Sequence, residues 1–493
     1  MLLAAAFAAT LAVAAPPADA LDIGTLHFTS CELPQIQSSA TTAAHCAPFR
    51  VPEDRAAPDA RRIDLRLALI RSETTNAAPD PVVLLAGGPG QAATESWPQV
   101  AAALAPLRRH RHVLLLDQRG TGGSNKLDCK DDEPSAEREV GGEPGGEPDG
   151  ATIARVLGAC VTQLAGHADP RHYTTSDAVE DLEALRQALG GVKFNLVGIS
   201  YGTRVAQQYA RRHPDGVRSL VLDGVVPNEL VLGAEFADAL DGALRGRFAA
   251  CEKDPACRER YGDLHATLYA VRDRLRRAPI AATVANPRTY QPEAHRLTAS
   301  GFGTLVRLYA YTSETSALLP LVIGEAAHGN VAPLLGQLRL VGGEFDAAIT
   351  GGMGLSVICA EDADLLDVRE RGRDRILGAD FVAALKAQCA AWPHGTRPAD
   401  FHQPLKTDLP LLALSGEFDP VTPPRYGETV VGGAAHGRHL VALGQGHNVI
   451  GRGCLPKLVK EFVEKLAPEK IDAGCLAEMG PTAFFLDYNG AAP

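Results

Sequence analysis

The sequence predicts an α/β protein with a mostly parallel sheet and an inserted, largely helical region before the last two strands. Three observations predict it. Continuous apolar runs at Pro81–Leu85, His112–Leu116 and Ser219–Leu222, with Phe194, Leu196 and Val197, read as strands buried on both faces. Helical segments alternate with them, as in Asp177–Leu189, where Val179, Leu182, Leu185 and Leu189 share a face and Gly190 is the stop. From about Val225 to His402 helical, Arg- and Ala-rich stretches dominate, such as Ala237–Glu252 and Tyr261–Arg277; strand signals return at Leu409–Leu414 and Arg438–Leu443.

A chain of 493 residues exceeds one ordinary core. The expected division is a signal peptide over 1–20, a core over 21–224, a helical lid over 225–402 and the rest of the core over 403–493. Residues 2–15 are apolar and Ala-rich, and Ala18-Asp19-Ala20 suits cleavage after Ala20, although the charged start of such a leader is missing. No later segment is apolar enough to span a bilayer stably. The net charge of −11 is spread along the chain without a basic cluster, which argues against nucleic acid as a partner. Ten cysteines, all after residue 20, suggest disulfides in an exported chain. Metal binding is disfavoured, because no CxxC or Cys/His cluster has ligand spacing. Sequence leaves the connectivity open; pairing of nearest neighbours would give five local loops.

Each element then has its own warrant. In Arg62–Arg71, Ile63, Leu65, Leu67 and Leu69 alternate as a strand should. Pro81–Leu85 delivers Ala86-Gly87-Gly88-Pro89-Gly90, which matches neither the P-loop nor the dinucleotide fingerprint. His112–Leu116 ends in Asp117-Gln118-Arg119-Gly120-Thr121-Gly122-Gly123-Ser124. Asp131–Gly150, rich in Glu, Pro and Gly, reads as a solvated loop without assigned function. Leu455–Lys465 reads as a closing helix.

The chemistry centres on Gly198-Ile199-Ser200-Tyr201-Gly202, a G-x-S-x-G turn between a strand and a helix expected over Tyr201–Arg212. Its glycines allow strand and helix backbones to pass closely. A serine hydroxyl is a weak nucleophile and needs a base, itself held by an acid. Asp419 follows the Leu409–Leu414 strand and His447 follows the Arg438–Leu443 strand, giving the order Ser200, Asp419, His447 of α/β-hydrolases. Glu417 and Asp364 are the fallback acids. The amides of Tyr201 and Gly88 are the expected oxyanion donors; Pro89 has no amide hydrogen.

Together, Gly87-Gly88-Pro89-Gly90, Asp117–Ser124, Thr175–Glu183 and Gly198–Gly202 resemble the proline iminopeptidase family of α/β-hydrolases. The cysteines, leader and Gly416-Glu417-Phe418-Asp419-Pro420-Val421-Thr422-Pro423 are more similar to its secreted tripeptidyl-aminopeptidase-like branch. One departure is Ala86, where the family often has His. The resemblance implies release of short pieces from peptide N-termini, often with proline at the cut, and acids near the lid that bind the substrate's free amine. Glu361 and Asp362, beside Cys359, are the local candidates; the alternative is a solvated pair of acids in a lid loop. An exported serine exopeptidase without cofactor or metal is the leading expectation. Its rivals are an esterase on the same fold and a non-catalytic binding protein. The number of residues released and the oligomeric state are not legible.

Overall fold

The computed structural model describes residues 20–36, 38–129, 150–286, 289–338, 349–367, 372, 374–378 and 380–491. The expected leader, but for Ala20, and the Asp131–Gly150 loop, but for Gly150, lie outside the described residues.

Four strands open the chain, β1 (Leu21–Ile23), β2 (Leu26–Pro34), β3 (Thr41–Pro52) and β4 (Arg62–Ile70), each antiparallel to the next. β5 (Val82–Leu85), β6 (Val113–Leu116), β7 (Phe194–Ile199), β8 (Val217–Asp223), β11 (Leu411–Gly416) and β12 (Gly437–Ala442) complete a ten-stranded sheet. Its order is β1-β2-β3-β4-β6-β5-β7-β8-β11-β12, and every pair from β6 to β12 is parallel. The parallel half is the part that carries the site.

Both faces of that half are covered, which is why its strands are apolar without alternation. Val83, Leu114, Leu196, Leu220 and Ala413 face one core with the helices Thr175–Ala188 and Tyr201–Arg212. Val82, Leu115, Val197, Val221 and Leu412 face the other with Ala93–Arg108 and Leu455–Lys465. The alternating Ile63, Leu65, Leu67 and Leu69 of β4 all fall in the first core. Helix Thr175–Ala188 starts in a capping box, Thr174 and Asp177 each taking the other's backbone N–H.

Between β8 and β11 lies the insertion, with a third core built from Leu240, Leu244, Phe248, Leu268, Phe302 and Leu305 among others. It departs from the sequence reading twice. The stretch Tyr261–Arg277 is broken at Gly262, whose φ of +60° ends Pro255–Tyr261 before Leu264–Arg277 begins. An antiparallel hairpin, β9 (Ile280–Ala285) with β10 (Pro292–Leu297), stands outside the main sheet.

All ten cysteines pair with sequence neighbours: 31–46, 129–160, 251–257, 359–389 and 454–475. Cys359–Cys389 ties helix Gly351–Glu361 to helix Asp380–Ala391 across 30 residues. Replacing both by Ala is expected to cost about 3 kcal/mol by freeing the unfolded chain. Denaturant titration reads this directly, and an unchanged midpoint would show that the bridge adds no stability. No helix of the described residues is long and apolar enough to cross a membrane.

Candidate active site

The site is assembled at the carboxyl edge of four neighbouring strands. β7 leads to Ser200, β8 ends in Asp223, β11 leads to Asp419 and β12 to His447. Ser200 has φ +53° and ψ −122°, a conformation that a non-glycine residue adopts at a cost of roughly 1–3 kcal/mol. Close passage of the backbones holds it there. A Cβ on Gly198 would lie 2.6 Å from the Gly202 carbonyl oxygen, and one on Gly202 would lie 2.1 Å from that of Leu85. The Ser200 amide donates to the Asp223 carbonyl at 2.8 Å, and Thr203 Oγ1 donates to the Ser200 carbonyl at 2.6 Å. The Ser200 hydroxyl itself makes no capping bond. A serine on this turn presents its oxygen instead of using it.

Asp419 and His447 meet in a buried pair, with His447 Nδ1–H donating to Asp419 Oδ2 at 2.7 Å. The other Asp419 sites are also filled. Oδ1 accepts the amides of Val421 and Thr422 at 2.9 and 2.8 Å, and Oδ2 accepts Thr422 Oγ1–H at 2.8 Å. Burial raises the Asp419 pKa, but His447 and these donors outweigh it, so the carboxyl titrates below its ordinary value. Burial likewise disfavours the imidazolium, while Asp419 more than offsets it and lifts His447 above its ordinary value. With Nδ1 bearing the proton, Nε2 is left as a base. The fallback acids are engaged elsewhere: Glu417 Oε2 accepts the Gly444 amide, and Asp364 pairs with Arg397.

Three residues that sequence reasoning missed secure this pair. Thr422 Oγ1 lies 3.1 Å from His447 Nδ1 as well as on Asp419. Asp223, fully buried, accepts the amides of Val449 and Ile450 at 2.9 Å each, pinning the chain after His447. The His447 amide donates to the Tyr311 carbonyl at 2.6 Å, and the two rings meet edge-on at 5.3 Å. Gly224 must be small, because its Cβ would lie 2.8 Å from His447 Cε1. Thr422 lies in the Gly416–Pro423 stretch and Asp223 directly follows the Ser219–Leu222 run, yet nothing local distinguishes their side chains.

The glycine loop faces the serine: a Cβ on Gly87 would come within 3.2 Å of the Ser200 Cβ. Gly88, next in the chain, has φ +105°. Tyr201 opens its helix, where the first amides have no carbonyl within the helix. Both expected oxyanion donors therefore belong to segments beside Ser200. The insertion holds this loop, with the Thr350 amide donating to the Gly90 carbonyl at 2.9 Å. Behind Ala86 a cavity of about 30 Å³ is lined in part by Gln91, Gln118 and Arg119.

Glu361 ends helix Gly351–Glu361, and both it and Asp362 are buried, so neither is a solvated acid. Glu361 Oε1 accepts the Thr175 amide at 2.6 Å and Oε2 accepts Thr175 Oγ1–H at 2.9 Å. The Thr175 hydroxyl is 2.6 Å from that of Tyr201, which also accepts Gln118 Nε2–H at 3.1 Å. Glu361 is thus linked to the residue after Ser200. Burial pushes its carboxyl up to about 8, with Arg204 pulling the other way and Asp362 adding to the rise. Asp362 Oδ2 accepts from Arg204 at 2.9 Å.

The sequence profile of the alpha/beta hydrolase fold matches residues 80–451. The chain belongs to that family. This hydrolase is 32% identical over 244 residues to the serine protease Hip1 of Mycobacterium tuberculosis, covering 47% of this chain and 46% of that protein. It is 30% identical over 189 residues to the tripeptidyl aminopeptidase of Streptomyces lividans, covering 37% and 35% respectively. A proline iminopeptidase of Xylella fastidiosa is 28% identical over 150 residues, 29% of this chain and 32% of that protein. The chain thus spans less than half the length of these relatives. A solved proline iminopeptidase of Mycobacterium smegmatis covers 85% of this chain and 98% of its own at 16% identity, with a TM-score of 0.37.

Proposed function

We propose that this hydrolase is an exported serine exopeptidase that cleaves peptide bonds near free N-termini, of the prolyl or tripeptidyl aminopeptidase type. The observation that carries the reading is the buried His447–Asp419 pair at 2.7 Å, at the same sheet edge as the strained Ser200 turn. His447 Nε2 takes the Ser200 proton as Oγ attacks the scissile carbonyl. The amides of Gly88 and Tyr201 stabilise the developing oxyanion. His447 then protonates the leaving amine, the C–N bond breaks, and water hydrolyses the acyl-enzyme by the same route. The relatives' names, a protease and two aminopeptidases, support peptide substrates. Five disulfides support export. In this reading residues 225–402 are the lid over a core formed by 21–224 and 403–493.

The substrate's ammonium is assigned to the acids at the end of helix Gly351–Glu361. A carboxylate has about four lone-pair sites. Thr175 uses only part of the Glu361 acceptor capacity, and an arriving cation would favour its ionised form. Glu361→Gln keeps the shape and the Thr175 contacts while removing the charge. The expected loss is about 3–5 kcal/mol, roughly a hundredfold or more in kcat/KM, for free-amine substrates and little for N-blocked ones. An unchanged ratio between the two would remove Glu361 from the site.

A panel of aminoacyl, dipeptidyl and tripeptidyl arylamides, each with its amine free or blocked, tests the reading as a whole. The free-amine members are expected to be turned over best. Preference for simple esters and N-blocked compounds would instead make the protein an esterase.

A further inference from the structure

Arg307, like the more deeply buried Arg247, pairs with no carboxylate among the described residues. Arg307 lies on helix Ala299–Ala310, one turn before Tyr311, and is half-buried. Its guanidinium lies 4.7 Å from the Phe236 ring centroid and 5.5 Å from that of Phe381. Its hydrogen bond is to the Tyr311 hydroxyl, at 3.4 Å. Among the described residues it meets no carboxylate. Several neighbouring arginines do: Arg375 pairs with Asp238 and Asp241, Arg245 with Asp241, and Arg425 with Glu235.

Stacking on aromatic faces leaves the N–H edge of a guanidinium open, and that edge matches a carboxylate with two parallel hydrogen bonds. The position of this edge gives it meaning. Tyr311 joins Arg307 to the candidate base, through its hydroxyl on one side and its ring edge against His447 on the other. The charge of Arg307 opposes protonation of His447, a minor push beside those of burial and Asp419. A half-buried guanidinium that meets no carboxylate among the described residues, one residue removed from the candidate base, has the chemistry to receive an anion.

We propose that Arg307 binds a carboxylate on the leaving side of the scissile bond, so that the preferred leaving group is a free amino acid. The inference rests on the peptidase reading above and deepens it. In that reaction Ser200 Oγ bonds to the carbonyl carbon, the C–N bond breaks and the His447 proton goes to the leaving nitrogen. The leaving nitrogen must therefore face His447. In the proposed complex its own α-carboxylate, two bonds away, lies on the side where Tyr311 links Arg307 to the imidazole. A leaving peptide longer by one residue would place a neutral amide there. The enzyme would thus finish short peptides, detaching their last residue, more readily than it shortens long ones.

The test uses matched peptides with free N-termini that differ only in a C-terminal carboxylate or carboxamide on the leaving residue, with a free-amine peptidyl arylamide as the neutral reference. Wild type is expected to favour the carboxylate by about ten- to hundredfold in kcat/KM, the difference falling mainly in KM. Arg307→Gln should bring that ratio to about one, and Arg307→Lys should keep an intermediate preference. Measurable arylamide turnover shows that a variant is folded. A wild-type ratio near one, or a ratio that survives in Arg307→Gln, overturns the assignment. If wild type cleaves the arylamide but shows no carboxylate preference, the Arg307 inference alone fails. If it cleaves neither peptides nor arylamide, the peptidase reading fails and takes the inference with it.

Discussion

Ser200→Ala is expected to keep the fold and to lower kcat by about 10⁶. The fold survives because the Ser200 hydroxyl makes no capping bond, and the backbone of the turn is held by the Asp223 carbonyl and the close approach of Gly198 to Gly202. Alanine meets the same steric cost at φ +53° as serine. The rate is expected to fall because the proposed acyl-enzyme forms on the Ser200 hydroxyl; what remains is the contribution of binding and oxyanion donors. Circular dichroism and thermal melting check the first half, and kcat on a free-amine arylamide checks the second. A folded variant retaining a tenth of wild-type activity would remove Ser200 from the mechanism.

Asp419→Asn is expected to lower kcat by about 10⁴, for a reason visible in its four contacts. The Val421 and Thr422 amides can only donate, so the oxygen of the introduced carboxamide must occupy the Oδ1 position. Its NH₂ then faces Thr422 Oγ1 and His447 Nδ1. A donor at Nδ1 forces the imidazole into the other tautomer, with the proton on Nε2, where it can no longer accept one from serine. The pH profile supplies an independent readout. His447 must be neutral to act as a base, and its pKa is raised by Asp419 against the effect of burial. Wild-type kcat/KM should therefore rise with pH through an ionisation above about 6.5, the ordinary histidine value. In the variant that limb should move to lower pH, since the carboxylate holding the proton is gone. A limb that stays in place would mean that another group titrates.

Much of this was legible because the relevant signals are local. Apolar runs gave the parallel strands, and the close-packed glycines flanking Ser200 gave the turn. The positions of Asp419 and His447 after the last two strands gave the pair. The antiparallel strands β2 and β3 are not legible, since Leu26–Pro34 and Thr41–Pro52 carry polar residues, prolines and cysteines in place of an apolar run. The hairpin of β9 and β10 carries no strand signal for a related reason, its side chains being largely exposed or half-buried. Partnerships across long separations were also illegible. Glu361 meets Thr175 over 186 positions, Asp362 meets Arg204 over 158, and Asp223 caps the His447 loop over 226. Whether an acid is solvated or buried depends on such partners. No periodicity in Ser356–Asp362 announces them.

In the proposed reaction Ser200, served by His447 and Asp419, attacks the acyl group of a substrate with a free N-terminus. A peptidyl diphenyl phosphonate with a free amine, compared with its N-acetylated twin, tests it directly. Inactivation rates would be followed and the adduct located by mass spectrometry of the digested protein. The expected result is one adduct, on Ser200, formed at least about tenfold faster by the free-amine reagent, the preference that a single ammonium contact supplies. An adduct on another residue, or no inactivation by either reagent, would contradict the account.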